Sequence, residues 1–192
     1  MAQYDLIFEG GGAKGIVFVG ALEEFEAREH KARRFMGTSA GAITAALMAA
    51  GYTPPEMLAA MEETGKDGKP RFTTFMDVPK EFREEVVARS LTYEIFHRVD
   101  LPGVPEWIEK RIDRFVFNRL MRLPAYRQLV SFVEKGGLFG GQAFLEWIRE
   151  KLDAKREGWG AADFARFSEE TGSDLSVVVT DTTAAEIRIL NR

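Results

Sequence analysis

The chain has 192 residues, no cysteine, two histidines and a formal net charge of −4 at pH 7. That length predicts one domain able to bury a real core. Disulfides and thiolate metal sites are excluded, and the acidic balance gives no general reason to expect nucleic acid. His30 and His97 stand in no metal-ligand spacing, so no catalytic metal is expected.

Tyr4–Glu9 is a short apolar run bounded by glycines and reads as a buried strand. Ile16–Arg28 carries Val19, Leu22 and Phe25 at helical spacing. Arg33–Met36 predicts a brief second strand ending in Gly37. Ala40–Ala50 is made of strong helix formers and stops at Gly51. Thr53-Pro54-Pro55-Glu56 reads as a capping box opening a further helix. Strand, helix, strand, helix in fifty residues argues for a parallel sheet covered by helices.

The region from about 72 to 135 is different, holding many of the arginines and aromatics. Trp107, Ile108, Ile112, Phe115, Val116, Leu120 and Met121 form an apolar helical stripe among basic residues. Such a helix either packs its stripe on the core or lies on an anionic membrane surface. Asp174–Thr180 then reads as a buried central strand, and Glu186–Leu190 as a strand with one face less buried. No basic-then-apolar leader opens the chain, and no stretch reaches the roughly 18 apolar residues of a spanning helix. The expectation is a cytoplasmic location, with peripheral membrane contact or signal-free export as its variants.

Two glycine-rich bends carry the chemistry. Gly10, Gly12 and Gly15 satisfy G-x-G-x-x-G between the first strand and the first helix. A dinucleotide fold would need an acidic residue at the end of the second strand, where Gly37-Thr38-Ser39 stands instead. A P-loop would need Lys-Ser or Lys-Thr after its last glycine, and Ile16 follows Gly15. Gly37-Thr38-Ser39-Ala40-Gly41 is G-x-S-x-G between a strand and a helix, the pattern that lifts a serine hydroxyl out of a sheet. Its plainer reading is a helix start with Ser39 as N-cap. Neighbouring parallel strands end at the same sheet edge, so the first bend can present bare backbone N–H groups to an oxyanion formed at Ser39.

The order Ser…Asp…His of the α/β-hydrolases finds no histidine after His97, and a set drawn from Asp77 and His97 would fall in the irregular middle region. The two bends together resemble those of the patatin-like phospholipases. Weaker echoes are Gly51-Tyr52-Thr53-Pro54, Gly137-Leu138-Phe139-Gly140-Gly141 and Val179-Thr180-Asp181-Thr182-Thr183. The resemblance implies a three-layer α/β/α fold with a mainly parallel sheet and a helical insertion around 72–135. It implies a lipid acyl hydrolase of the phospholipase A or carboxylic ester type, with a Ser–Asp dyad and no cofactor. Ser39 would be the nucleophile, with Gly11, Gly12, Ala13 and Ala40 as oxyanion donors. Gly10, Gly15, Gly37 and Gly41 shape the bends, and Lys14 sits at a position that is commonly basic. Partners would be lipid or phospholipid esters, not nucleic acid.

One part of the pattern is missing. The family's aspartate lies in an Asp-Gly pair beyond the Thr-Asp strand end, whereas the Asp-Gly pair here, Asp67-Gly68, sits in an early polar turn. No aspartate is therefore assigned. The expectation is a single patatin-like domain over 1–192, incomplete at its C-terminus. The rival readings are a non-catalytic lipid- or partner-binding relative and a dinucleotide-binding domain.

Overall fold

A computed structural model describes residues 3–78, 119–135 and 137–192. The chain forms two compact units, Met1–Thr73 with Phe144–Arg192, and Thr74–Ala143. Most of the basic stripe from Trp107 to Met121 lies outside the described residues, as does His97.

The first unit is built on a four-stranded sheet in the order β1 (Gln3–Phe8), β2 (Lys31–Thr38), β3 (Asp174–Asp181), β4 (Glu186–Leu190). The first three strands are parallel and β4 runs antiparallel to β3. A 3₁₀ turn, Gly12–Gly15, leads into α1 (Ile16–Ala27), and Ser39 leads into α2 (Ala40–Ala49). The α/β class and the mainly parallel sheet are those expected from the sequence.

β2 extends two residues beyond each end of the expected Arg33–Met36, because Lys31 and Ala32 pair with β1 and Gly37 and Thr38 with β3. Arg34 pairs with Asp5 of β1 at 2.7 Å, and Arg33 Nε donates to the Gly172 carbonyl at 2.9 Å. β4 is exposed along its whole length rather than on one face, as befits an edge strand with nothing packed over it among the described residues.

Successive parallel strands are added in one direction, so right-handed crossovers place the connecting helices on one face. Phe8 meets Phe18 of α1 edge to face, and Gly37 lies against the first turn of α2. This face holds the buried Phe8, Phe35 and Leu175, with Ala45 and Leu47 of α2 fully buried. Register places Ile7, Met36, Val178 and Ile189 on the opposite face, where Ile7 is 76% exposed. α1 and α2 thus cover this face of the sheet.

α3 (Pro54–Met61) opens with the expected capping box, Thr53 N–H donating to Glu56 at 2.8 Å. Ion pairs tie it and the segment after it to α5 (Gln142–Lys155). Lys155 pairs with Glu56 at 2.7 Å, Arg71 with Glu150 at 2.6 Å, and the largely buried Lys151 with Glu63. The Tyr52 hydroxyl donates to the Lys151 carbonyl at 2.7 Å. Burial alone would pull the Lys151 ammonium down, but hydrogen bonds to Glu63 and Glu150 outweigh it and hold it above its ordinary range.

The Lys155 hydrogen bond holds Glu56 down at about 2, and the Arg71 hydrogen bond does the same for Glu150. Folded values depressed below the unfolded value of about 4.3 make these groups stabilising above it. That contribution drains as pH falls from about 5 through about 2. Glu150→Gln is expected to flatten the fall of melting temperature across this acid window, an effect weakened by salt because the carboxylate is half exposed. An unchanged profile in a pH series of thermal melts would contradict it.

In the second unit, α4 spans Pro124–Lys135. Asp77 secures the start of α5. Its backbone carbonyl accepts from Gly140 N–H at 2.9 Å, and its carboxylate from Gly141 N–H at 2.7 Å and Gln142 N–H at 3.1 Å. A carboxylate at a helix N-terminus satisfies orphan donors and complements the helix dipole.

Candidate active site

Phe8 and Gly37 are register partners, so β1 and β2 release their chains side by side at one sheet edge. β1 opens into the Gly10–Gly15 bend and β2 turns sharply into α2. Ser39, at that turn, has φ 52° and ψ −125°. This is a left-handed backbone that a residue with a Cβ adopts only under strain.

The flanking glycines are there for space. A Cβ on Gly37 would lie 2.2 Å from the Gly41 carbonyl oxygen, and one on Gly41 would lie 2.3 Å from that of Phe8. Strand end and helix start touch backbone to backbone. Only a residue without a side chain fits at either point.

The two bends meet. A Cβ on Gly10 would stand 3.2 Å from the Cβ of Ser39, and one on Gly15 the same distance from that of Ala40. Gly12 takes a positive φ of 56° as the 3₁₀ turn begins. Gly11, Gly12, Ala13 and Lys14 all belong to this bend, and Ala40 is the first residue of α2. The opening N–H groups of a helix have no intrahelical partner and favour negative charge. Both bends end in such an opening. Ser39 occupies the N-cap position, yet its hydroxyl makes no capping hydrogen bond. The simple cap reading therefore lacks the bond that defines it.

An open groove of about 520 Å3 adjoins the turn. Glu9, Gly37 and Thr38 form its edge beside the bends, and Ile7, Phe8, Phe18, Met36 and Val178 give it an apolar lining. The sequence analysis missed this groove. Alternation in the strands marks two faces but not that residues of both, with Phe18 of α1, meet in one groove at the strand ends.

Every described aspartate has another task. Asp5 pairs with Arg34 and Asp174 with Arg192. Asp67 accepts from Lys69 N–H in the early polar turn, as expected of that Asp-Gly pair, and Asp77 holds the start of α5. Asp153 accepts from Gly158 and Gly160, and Asp163 caps α6 (Phe164–Thr171). Asp181 accepts from Thr183 and Ala184 while Arg188 pairs with it. Asp100 and Asp113 lie outside the described residues. His30 is half-buried and packs its ring against Tyr4 and Phe25, its Nδ1 buried without a hydrogen-bond partner.

A strand-turn-helix serine beside a glycine bend, on a parallel α/β sheet, defines a class of serine-elbow folds. The profile of the patatin-like phospholipases matches residues 6–191, and the chain belongs to that family. A 59-residue stretch is 51% identical to the uncharacterized protein YqhO of Bacillus subtilis (strain 168), covering 31% of this chain and 20% of that protein. The match thus spans about a fifth of that relative's length. The crystal structure of VipD from Legionella pneumophila aligns with 98% of this chain and 39% of its own, at 19% identity and a TM-score of 0.39. Among the described residues no helix is long and apolar enough to cross a membrane.

Proposed function

We propose that the chain carries the nucleophile and oxyanion-binding half of a lipid acyl hydrolase. Ser39 gives its proton to the base of the dyad and attacks the carbonyl of a lipid ester. The ester C–O bond breaks, the alcohol leaves with that proton, and water then cleaves the acyl-enzyme to a fatty acid and free serine. Backbone N–H groups of Gly11, Gly12 and Ala13, with that of Ala40, hold the oxyanion. Gly10, Gly15, Gly37 and Gly41 let the bends approach, and Lys14 orients the first bend or meets a lipid headgroup. The carrying observation is the approach of Gly10 to Ser39, whose hydroxyl is left without a capping bond. The apolar lining of the adjoining groove favours an acyl chain over a polar substrate. No cofactor enters this chemistry.

The reading takes the aspartate of the Ser–Asp dyad from an Asp-Gly pair that is not among the described residues, each of whose aspartates is engaged elsewhere. Without a base the hydroxyl keeps its ordinary acidity and is a poor nucleophile. Turnover of a short-chain nitrophenyl ester is therefore expected to be weak for the 192-residue chain. It should rise about 100-fold or more in a version extended through a downstream Asp-Gly. Equal turnover by both would sink the dyad. A second reading, a lipid-binding relative without catalysis, is favoured by the engagement of every described aspartate elsewhere. Failure of the extended form to react with a fluorophosphonate at Ser39 would select it.

A further inference from the structure

The second unit turns its helix the wrong way round for an ordinary soluble surface. On α4, Leu129, Phe132 and Val133 fall within one helical face, at the i, i+3, i+4 spacing of an apolar stripe. Such a stripe normally faces inward. Here the three are exposed by 53%, 56% and 48%, while Val130 and Ser131 are buried behind them. Arg127 lies on the buried side as well, its Nε shut off from water without a hydrogen-bond partner. Leu138 and Phe139, just beyond the helix, are also exposed.

Charge selects the occupant. From Arg119 to Ala143 the sequence holds Arg119, Arg122, Arg127 and Lys135 against one acidic residue, Glu134, within a chain of net charge −4. Arg119 and Arg122 are exposed at the approach to α4. Arg127 is turned inward, so Arg119 and Arg122 are the cations this segment is seen to expose. Exposed apolar residues with exposed cations in one segment are the composition that lies in the headgroup layer of an anionic bilayer. We propose that the Leu129–Phe132–Val133 face of α4, with Leu138 and Phe139, seats the protein on an anionic phospholipid surface. The choice of a lipid occupant rests on the hydrolase reading above; the inverted helix does not.

Sedimentation with sucrose-loaded vesicles tests it, using phosphatidylcholine with and without 30–40% phosphatidylglycerol (about that fraction suffices for an anionic surface). The expected result is binding to the anionic vesicles only, weakened by salt, and reduced roughly tenfold or more by Leu129→Glu with Phe132→Glu. Far-UV circular dichroism and thermal melts check that the double variant stays folded. Phe132→Trp keeps the face apolar, so it should bind like the parent, with indole emission shifting to shorter wavelength on anionic vesicles alone. No vesicle binding, binding unaffected by the charge pair, or an unshifted indole would overturn the proposal. So would a dimer abolished by the double variant while vesicle binding persists, which would make a second copy the occupant. Fluorophosphonate labelling of the extended form separates the two readings. Labelling without vesicle binding defeats this inference alone, and vesicle binding without labelling defeats only the hydrolase.

Discussion

Replacing Gly41 by alanine is expected to cost at least about 3–5 kcal/mol, a large share of the 5–15 kcal/mol that holds a typical domain together. The new Cβ would stand 2.3 Å from the Phe8 carbonyl oxygen, 2.5 Å from that of Glu9 and 2.6 Å from the Phe8 carbonyl carbon. These are backbone atoms at the end of β1, an edge strand exposed along most of its length rather than buried as its apolar run suggested, and no side chain can swing aside to make room. Relief requires moving β1 away from α2, which opens the core around Phe8 and Leu47. For a chain of this length the loss corresponds to a melting point lower by roughly 10 °C or more. Gly20 is the control. It lies inside α1, exposed, with nothing within 4 Å of a Cβ, so Gly20→Ala should stabilise by about 0.5–1 kcal/mol. Thermal melts of the two variants should move in opposite directions. A Gly41→Ala protein as stable as the parent would mean that strand end and helix start do not touch.

Local signals were legible wherever a residue's reason for being there lay within a few positions. α2 ends where its alanines meet Gly51, which takes φ 81°, and α3 starts at the capping box read from Thr53 and Glu56. The two bends were legible for the same reason, because glycine spacing states a steric demand directly. Features settled by distant partners were not. Nothing near Lys31 and Ala32 says that Gln3 and Tyr4 of β1 will pair with them, so the strand was expected to begin only at Arg33. Asp77 drew notice as a carboxylate, and only the fold shows it bound to N–H groups more than sixty residues away. The apolar groove draws Ile7, Met36 and Val178 from one sheet face and Phe8, with Phe18 of α1, from the other, so it depends on how the strand ends and α1 come together. That is a consequence of strand order and crossover handedness rather than of any one strand's pattern.

Ser39→Gly is expected to raise stability by about 1 kcal/mol and, in the form extended through a downstream Asp-Gly, to abolish fluorophosphonate labelling, the signature of a residue kept for chemistry at a structural cost. A non-glycine residue in a sparsely populated backbone region costs about 1–3 kcal/mol, and glycine removes that strain. Against this stands about 0.5–1 kcal/mol for the greater freedom glycine gives the unfolded chain. The balance favours the folded variant. No capping bond is lost, since the Ser39 hydroxyl makes none. Ser39→Ala separates strain from chemistry, because it keeps the Cβ and the strained turn. Its stability should stay within about 0.5 kcal/mol of the parent while labelling disappears and any ester turnover falls roughly 1,000-fold or more. If Ser39→Gly proves less stable than Ser39→Ala, the φ 52° conformation carries no strain worth removing. The serine would then be an ordinary turn residue. If both variants keep their labelling, the nucleophile is another group, however closely the glycine bend approaches the end of β2.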